Sequence, residues 1–238
     1  MIKRRNLDRT LGATREDVIR KTPKVTVAER LIKTSHTAEQ FHVESYHGSL
    51  LQPPGLQRAL DCDVLFSCVD RPLPRHLLNA LAYAHLRPVV DGGILAKVEK
   101  GHLLHADWRV HTIGPGRPCL LCPGALRLEE VGLDRAGLLD DPAYIKGLGP
   151  EFNPLFARQN VFPFSLNVAS LEVLQFIGLV TNQARIGGVE AQIYHCYPGS
   201  TELIDKQACA QGCEYAALTA SAQELSGNFP LNPPADCA

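Results

Sequence analysis

The chain has almost no net charge. Its 24 Lys and Arg against 25 Asp and Glu leave −1 over 238 residues, which argues against broad electrostatic attraction to nucleic acid or to an anionic membrane. MIKRRNLDRTLG is basic but no apolar run follows it, so it does not read as a secretory signal. The chain has no internal repeat. It has no G-x-G-x-x-G, which disfavours a nicotinamide-dependent oxidoreductase. No long apolar run is free of polar residues. The longest, VFPFSLNVASLEVLQFIGLVT at 161–181, carries Asn167 and Glu172 and reads as a buried helix rather than a membrane span. No nucleophile stands out. Cys62 and Cys68 flank an apolar strand and read as core thiols, and His102, His105 and His111 read as ordinary polar positions. The expectation is a soluble cytoplasmic protein with no nucleic-acid or membrane partner.

What is present is the composition of a folded protein. Its 238 residues are enough for one large or two small domains with a sizeable core, and 45% hydrophobic with 21% charged residues marks a globular rather than a disordered chain. Eight cysteines in a cytoplasmic chain read as metal ligands or core thiols rather than disulfides.

The organising stretch is CDVLFSCVDRPLPRHLLNALAYAHLRPVVDGGI, residues 62–94. Asp63 to Ser67 is a short apolar run suited to a strand of a parallel sheet. Leu73, Leu77, Leu78 and Leu81 recur at helical spacing. Pro88 stops that helix, Val89 and Val90 start the next strand, and Gly92-Gly93 permits a turn or a close approach. Asp70 falls just past the first strand's carboxyl end, where open α/β sheets bind ligands. The alternative is that Asp70 caps the helix.

Before this unit, Thr14-x-x-Asp17 is a capping signal and Thr22-Pro23 a helix start, with Val25, Ala28 and Ile32 as the buried face. FHVESYHG at 41–48 reads as a strand, and Leu56 to Leu60 as a short helix. After the unit, runs broken at Lys100-Gly101 predict antiparallel strands. Residues 125–160 read as a crossing loop with short helices, and Gly187–Tyr197 with Glu202–Ile204 as a closing hairpin. The domain is expected to span 1–218, with a disordered tail at 219–238.

Cys119-x-x-Cys122 and Cys209-x-x-x-Cys213 are two close pairs. Four thiolates from two turns close a tetrahedral structural zinc shell, with Cys196 a possible substitute; the alternative is a set of unligated thiols. Lys24 falls in the first turn of its helix, where the macrodipole disfavours a cation unless an anion is near; an ordinary solvated lysine is the alternative. Asn6 and Arg9 could both reach a nucleotide, with Arg9 as phosphate clamp. Asp70 could hold Mg²⁺ on a triphosphate.

Together these residues resemble the adenylyltransferases of the ThiF/MoeB/HesA type, the superfamily of the ubiquitin-activating enzymes. NLDRTLGA resembles the Asn-Leu-x-Arg nucleotide motif and PKVTVAERL the Pro-Lys-Val helix start. CDVLFSCVDRPLPRHLLN, PVVDGGI, the cysteine pairs and NVFPFSLNVASLEVLQF follow in the family's order. The resemblance runs from Asn6 to Tyr215. It implies a Rossmann-like, mostly parallel sheet with an antiparallel C-terminal extension and a structural zinc. It implies ATP binding by Asn6, Arg9, Lys24 and Asp70, with Arg9 and Lys24 on the phosphates and Asp70 on Mg²⁺. The implied reaction is ATP-dependent adenylation of the C-terminal carboxylate of a ubiquitin-like or sulfur-carrier protein, by a homodimer joined through its C-terminal half.

Two departures accompany the resemblance. The family's opening strand and Gly-rich phosphate loop have no counterpart after Met1, so an N-terminally truncated product or a mis-assigned start is expected. The rival function is then an inactive remnant that serves as a zinc-containing binding module. Residues 123–195 contain no cysteine, so a thioester step through the crossing loop is unsupported.

Overall fold

The computed structural model describes residues 1–99, 102–141, 162–181, 191–204 and 208–222. The chain opens with helices α1 (Arg15–Ile19), α2 (Lys24–Ser35) and α3 (Pro53–Leu60). Strand β1 (Leu65–Ser67), helix α4 (Pro72–Ala84) and strand β2 (Val89–Glu99) form the central unit. Strand β3 (His102–Ile113), helix α5 (Leu128–Arg135), the long helix α6 (Phe162–Thr181), strands β4 (Gln192–His195) and β5 (Ser200–Leu203) and the short α7 (Glu214–Ala217) complete the described elements.

The sheet is mixed rather than mostly parallel. Its order is β1-β2-β3-β4-β5. Among the described strands only β1 and β2 pair parallel, Leu65 opposite Val89 and Ser67 opposite Asp91; the other three pairs are antiparallel. The reason lies at Gly92-Gly93. The backbone does not turn there but continues in β2, and β3 returns beside it with Gly93 opposite Arg109. An adjacent antiparallel strand needs no crossover helix.

Helix α4 explains the core on one face of the sheet. Its leucines place Leu78 and Leu81 inward against Val89, Ile113, Leu120, Val131 and Tyr215, with Leu73 and Leu77 partly buried at the margin. Leu81 is fully buried, and truncating such a residue to alanine costs about 2–5 kcal/mol. On the opposite face Trp108 packs with Ala96, Ala106, Phe164, Val168 and Leu171. Trp108 and Tyr194 stack with centroids 4.6 Å apart.

Helix α6 lies along β2 and β3. It is long and apolar enough to cross a membrane by length and composition. Yet it turns Glu172, Gln175 and Gly178 inward and leaves Leu166, Val173, Leu174, Ile177 and Val180 exposed. The expected burial therefore holds for one face only. Thr112 Oγ1 donates to Gln175 Oε1 at 2.6 Å, so this inward polar group is satisfied by the sheet.

Several local expectations change. Residues 41–48 lie outside the sheet and pair with no strand among the described residues; they are tied down instead by Ser45 on Glu29 and Glu44 on Arg58. In α2 the buried residue is Val27, while Ala28 and Ile32 are exposed. Pro23, not Thr22, stands at that helix's N-cap, so Lys24 is the first helical residue. The Thr14–Asp17 capping box does form. Residues 219–222 follow α4, with Ala220 N–H on Tyr83 O at 3.1 Å and Ala222 N–H on Ala84 O at 2.9 Å. The remainder of the expected tail, most of the expected crossing loop and the start of the expected hairpin lie outside the described residues.

Candidate functional site

The mouth of the central unit is where β1 ends and α4 begins. Asp70 is exposed there. It does not cap α4: Arg71 is the N-cap and offers no side-chain hydrogen bond. The cap comes from α5, where Asp134 Oδ2 accepts the Leu73 N–H at 3.0 Å. Asp134 also holds Arg71, which reaches on to Asp140 at 3.1 Å. Among the described residues Asp70 has no hydrogen bond or ion pair.

At Ser67, where β1 ends, lies a buried charged cluster that sequence reasoning missed. Asp91 of β2 is fully buried; it accepts the Ser67 hydroxyl at 2.6 Å and is ion-paired with Arg75 Nε at 3.2 Å and Arg109 Nη2 at 2.7 Å. Burial pushes the Asp91 pKa up, but the Arg109 and Arg75 guanidiniums and the Ser67 hydroxyl outweigh it, so the group is held below its ordinary value. Arg75 Nη2 donates to Gly92 O at 2.9 Å. Glu172 of α6 closes the cluster from the other face. Its carboxylate rests so tightly on Gly92 that a Cβ there would overlap it. Burial first and Asp91 second push Glu172 up to about 7, against the pull of Arg75 and Arg109. Two signals could have exposed this cluster. Asp91 interrupts the apolar start of its strand, between Val90 and Ile94, and Glu172 is the one acidic residue in a 20-residue apolar helix.

The other candidate nucleotide residues lie in the N-terminal segment: Asn6 ends a 3-10 turn before α1, Arg9 is in the turn that follows it, and Lys24 opens α2. Asn6 is buried, and its Oδ1 accepts the Lys3 N–H at 2.9 Å. Arg9 is partly exposed and Lys24 exposed. This region is tied internally by Arg30, which holds Asp17 at 2.7 Å and Gly12 O at 2.8 Å, and its contacts with the sheet are sparse. Among the described residues no hydrogen bond or ion pair joins Asn6, Arg9 or Lys24 to Asp70.

The four cysteines do converge. The Sγ atoms of Cys119, Cys122, Cys209 and Cys213 all lie within 4.8 Å of one another. Cys119 and Cys213 are 3.7 Å apart, close to the edge of a zinc–thiolate tetrahedron, about 3.8 Å for bonds near 2.3 Å. Backbone N–H groups point at the sulfurs, Cys119 N at Cys209 Sγ, 3.2 Å, and Ala210 N at Cys122 Sγ, 3.3 Å. Such donors favour thiolates; among the sulfurs themselves, the shared hydrogen bonds hold Cys213 below its ordinary pKa and Cys119 above it. Cys196 is exposed and is not part of the cluster. The cluster is docked on the back of α4 by three contacts. Leu120 N–H reaches Asn79 Oδ1 at 3.0 Å, Tyr83 donates to Arg117 O at 2.7 Å, and His76 Nδ1 meets Tyr215 Oη at 2.6 Å.

Comparison with known proteins gives a family and a fold. The model of the ThiF family matches residues 1–199. The structure of Escherichia coli MccB with ATP is similar, with a TM-score of 0.61 at 14% identity, over 90% of this chain and 56% of that one. The E. coli MccB structure with AMPCPP and MccA gives 0.62 at 13% identity, over 91% of this chain and 56% of that one. The chain thus spans little more than half the length of these structures. No curated protein matches it by sequence.

Proposed function

The chain belongs to the ThiF family, and from that premise we propose that it adenylates the C-terminal carboxylate of a small ubiquitin-like or sulfur-carrier protein with ATP. The observation that carries the proposal is Asp70: a carboxylate just past the carboxyl end of β1 with no hydrogen bond or ion pair among the described residues, the neighbouring helix being capped by Asp134 instead. Such a residue suits Mg²⁺, a hard cation that takes one or two protein carboxylates and the substrate's phosphates.

In this reading a carboxylate oxygen of the carrier attacks the α-phosphorus of ATP. The new P–O bond forms as the bond to the β-phosphate breaks, and pyrophosphate leaves with the electron pair. The nucleophile is already an anion, so no general base is needed. The protein's contribution is positioning and charge neutralisation. Arg9 and Lys24 would face the phosphates, Asn6 would contact the nucleotide, and Asp70 would hold the magnesium. Lys24 as first residue of α2 supports this, since that position favours a neighbouring anion.

The donor set of the cysteine cluster fits zinc. Four thiolates leave no open position, so the metal would be structural and would fasten the C-terminal segment to α4. A cytoplasmic homodimer is part of the same proposal, supported by the exposed apolar face of α6. The test is ATP–pyrophosphate exchange with candidate carriers. Carrier-dependent exchange, abolished in Asp70→Ala, is the expected result. Its absence with every carrier, in folded and metal-loaded protein, favours the binding module without turnover.

A further inference from the structure

Above Gly93 there is a cradle. Gly93 lies on β2 on the same face as Asp91 and directly opposite Arg109. A Cβ at this position would meet Arg75 Nη2 at 3.2 Å, Arg109 Nη2 at 3.5 Å and Arg109 Nε at 3.6 Å. Two guanidiniums therefore flank a place that no side chain of Gly93 fills, and Gly93 itself is partly exposed. Arg109 has N–H capacity to spare: neither Nη1 nor Nη2 has an aligned hydrogen-bond partner among the described residues, although Nη2 is ion-paired with Asp91.

We infer that Arg75 and Arg109, over Gly93, form a subsite for a carboxylate, the reacting terminus of the acyl substrate. The inference rests on the adenylation reading and adds to it the residues that hold the nucleophile. On this face two guanidiniums stand against the single carboxylate of Asp91, and Glu172 on the other face offsets part of the remaining charge, so at most one positive charge is left, which suits a monoanion rather than a polyphosphate. The guanidinium fork matches the two oxygens of a carboxylate. Asp91 acts as the positioning residue. It is buried in the sheet and fixes both arginines from behind, Arg75 from α4 and Arg109 from β3.

The probes are N-acetylglycylglycine and its C-terminal amide, titrated without ATP into the full metal-loaded chain. Binding is followed by the ¹⁵N-resolved Nε–H signals of Arg75 and Arg109. The acid is expected to shift both signals, and the amide to bind at least tenfold more weakly. In Gly93→Ala, whose new methyl occupies the cradle, the acid's affinity falls at least tenfold while the circular dichroism stays native. Arg75→Lys, which keeps the charge but not the fork, weakens the acid and leaves the amide unchanged. Equal binding of acid and amide overturns the inference, as does unchanged binding by Gly93→Ala. Inorganic phosphate that binds these arginines more tightly than the acid also overturns it, and makes the cradle a phosphate subsite. Because ATP is absent, a negative result here is separable from a failure of pyrophosphate exchange.

Discussion

Asp134 accepts the backbone N–H of Leu73 at 3.0 Å, so the helix that follows Asp70 is capped from another element. Stability and chemistry are thereby divided between two aspartates. Asp70→Asn is expected to leave the melting temperature within about 2 °C of wild type, because surface substitutions are usually worth less than about 0.5 kcal/mol. It is expected to abolish carrier-dependent pyrophosphate exchange. Asp134→Ala removes the cap and leaves Arg71 without its buried partner, a loss of about 1–3 kcal/mol in chemical denaturation. A large stability loss in Asp70→Asn would mean that Asp70 is structural after all.

The cysteine cluster makes a prediction about metal. One zinc per chain is expected by elemental analysis, and Cys119→Ser should lose it. The loss is expected to expose the C-terminal segment, because Cys209 and Cys213 and the Tyr215 contact with His76 all depend on that junction. Limited proteolysis should then cut within 208–222 at least tenfold faster. Equal proteolysis of metal-free and metal-loaded protein would refute a fastening role.

These two sites differ in how far the residues alone disclosed them. The cysteine pairs were legible because metal ligation demands particular residue types at short spacings, and spacing is a sequence property. Asp70 was legible because a strand's end can be read from an apolar run. The Asp91–Arg75–Arg109 cluster was not, because its members come from β2, α4 and β3 and meet only through the sheet register. The mixed sheet was half legible. The break at Lys100-Gly101 signalled antiparallel strands, but Gly92-Gly93 read as a turn or a close approach, whereas both glycines pair within β2, where Glu172 packs against Gly92 and the arginines against Gly93. The capping role of Asp134 was hidden for the same reason, since it lies 61 positions from the N–H it serves.

Glu172 predicts a pH dependence of stability. Its pKa is raised from 4.5 to about 7 by burial and by Asp91. The folded state therefore holds this proton more tightly than the unfolded one. The group's contribution is fully present below about pH 4.5 and is lost as the pH rises to 7. After a discount for partial screening the loss is on the order of 2 kcal/mol. Asp91 acts in the opposite sense and in another window, because its pKa lies below 3.8 and its contribution is lost only at more acidic pH. Urea denaturation between pH 5 and 8 should show stability declining with pH. Glu172→Gln, which stays neutral, should flatten the decline, and an unchanged slope in that variant would assign it to another group.

The neighbouring glycines of β2 should respond differently to the same substitution. At Gly92 a methyl group meets the Glu172 carboxylate and, at 3.1 Å, Val168 Cγ2. Both belong to α6, and α6 cannot retreat without uncovering Trp108 and its neighbours. Overpacking of this kind costs about 1–3 kcal/mol. At Gly93 the methyl meets only the ends of Arg75 and Arg109 at 3.2 Å and beyond, and a long side chain can shift by tenths of an ångström at little cost. Gly92→Ala is therefore expected to be destabilised by about 1–3 kcal/mol, and Gly93→Ala by less than about 1 kcal/mol. Parallel denaturation of the two variants checks this. Equal losses would show that the approach of α6 to β2 is not what requires glycine at 92. A larger loss at 93 would show that the two guanidiniums are rigidly held, and the cradle between them too tight to admit a ligand.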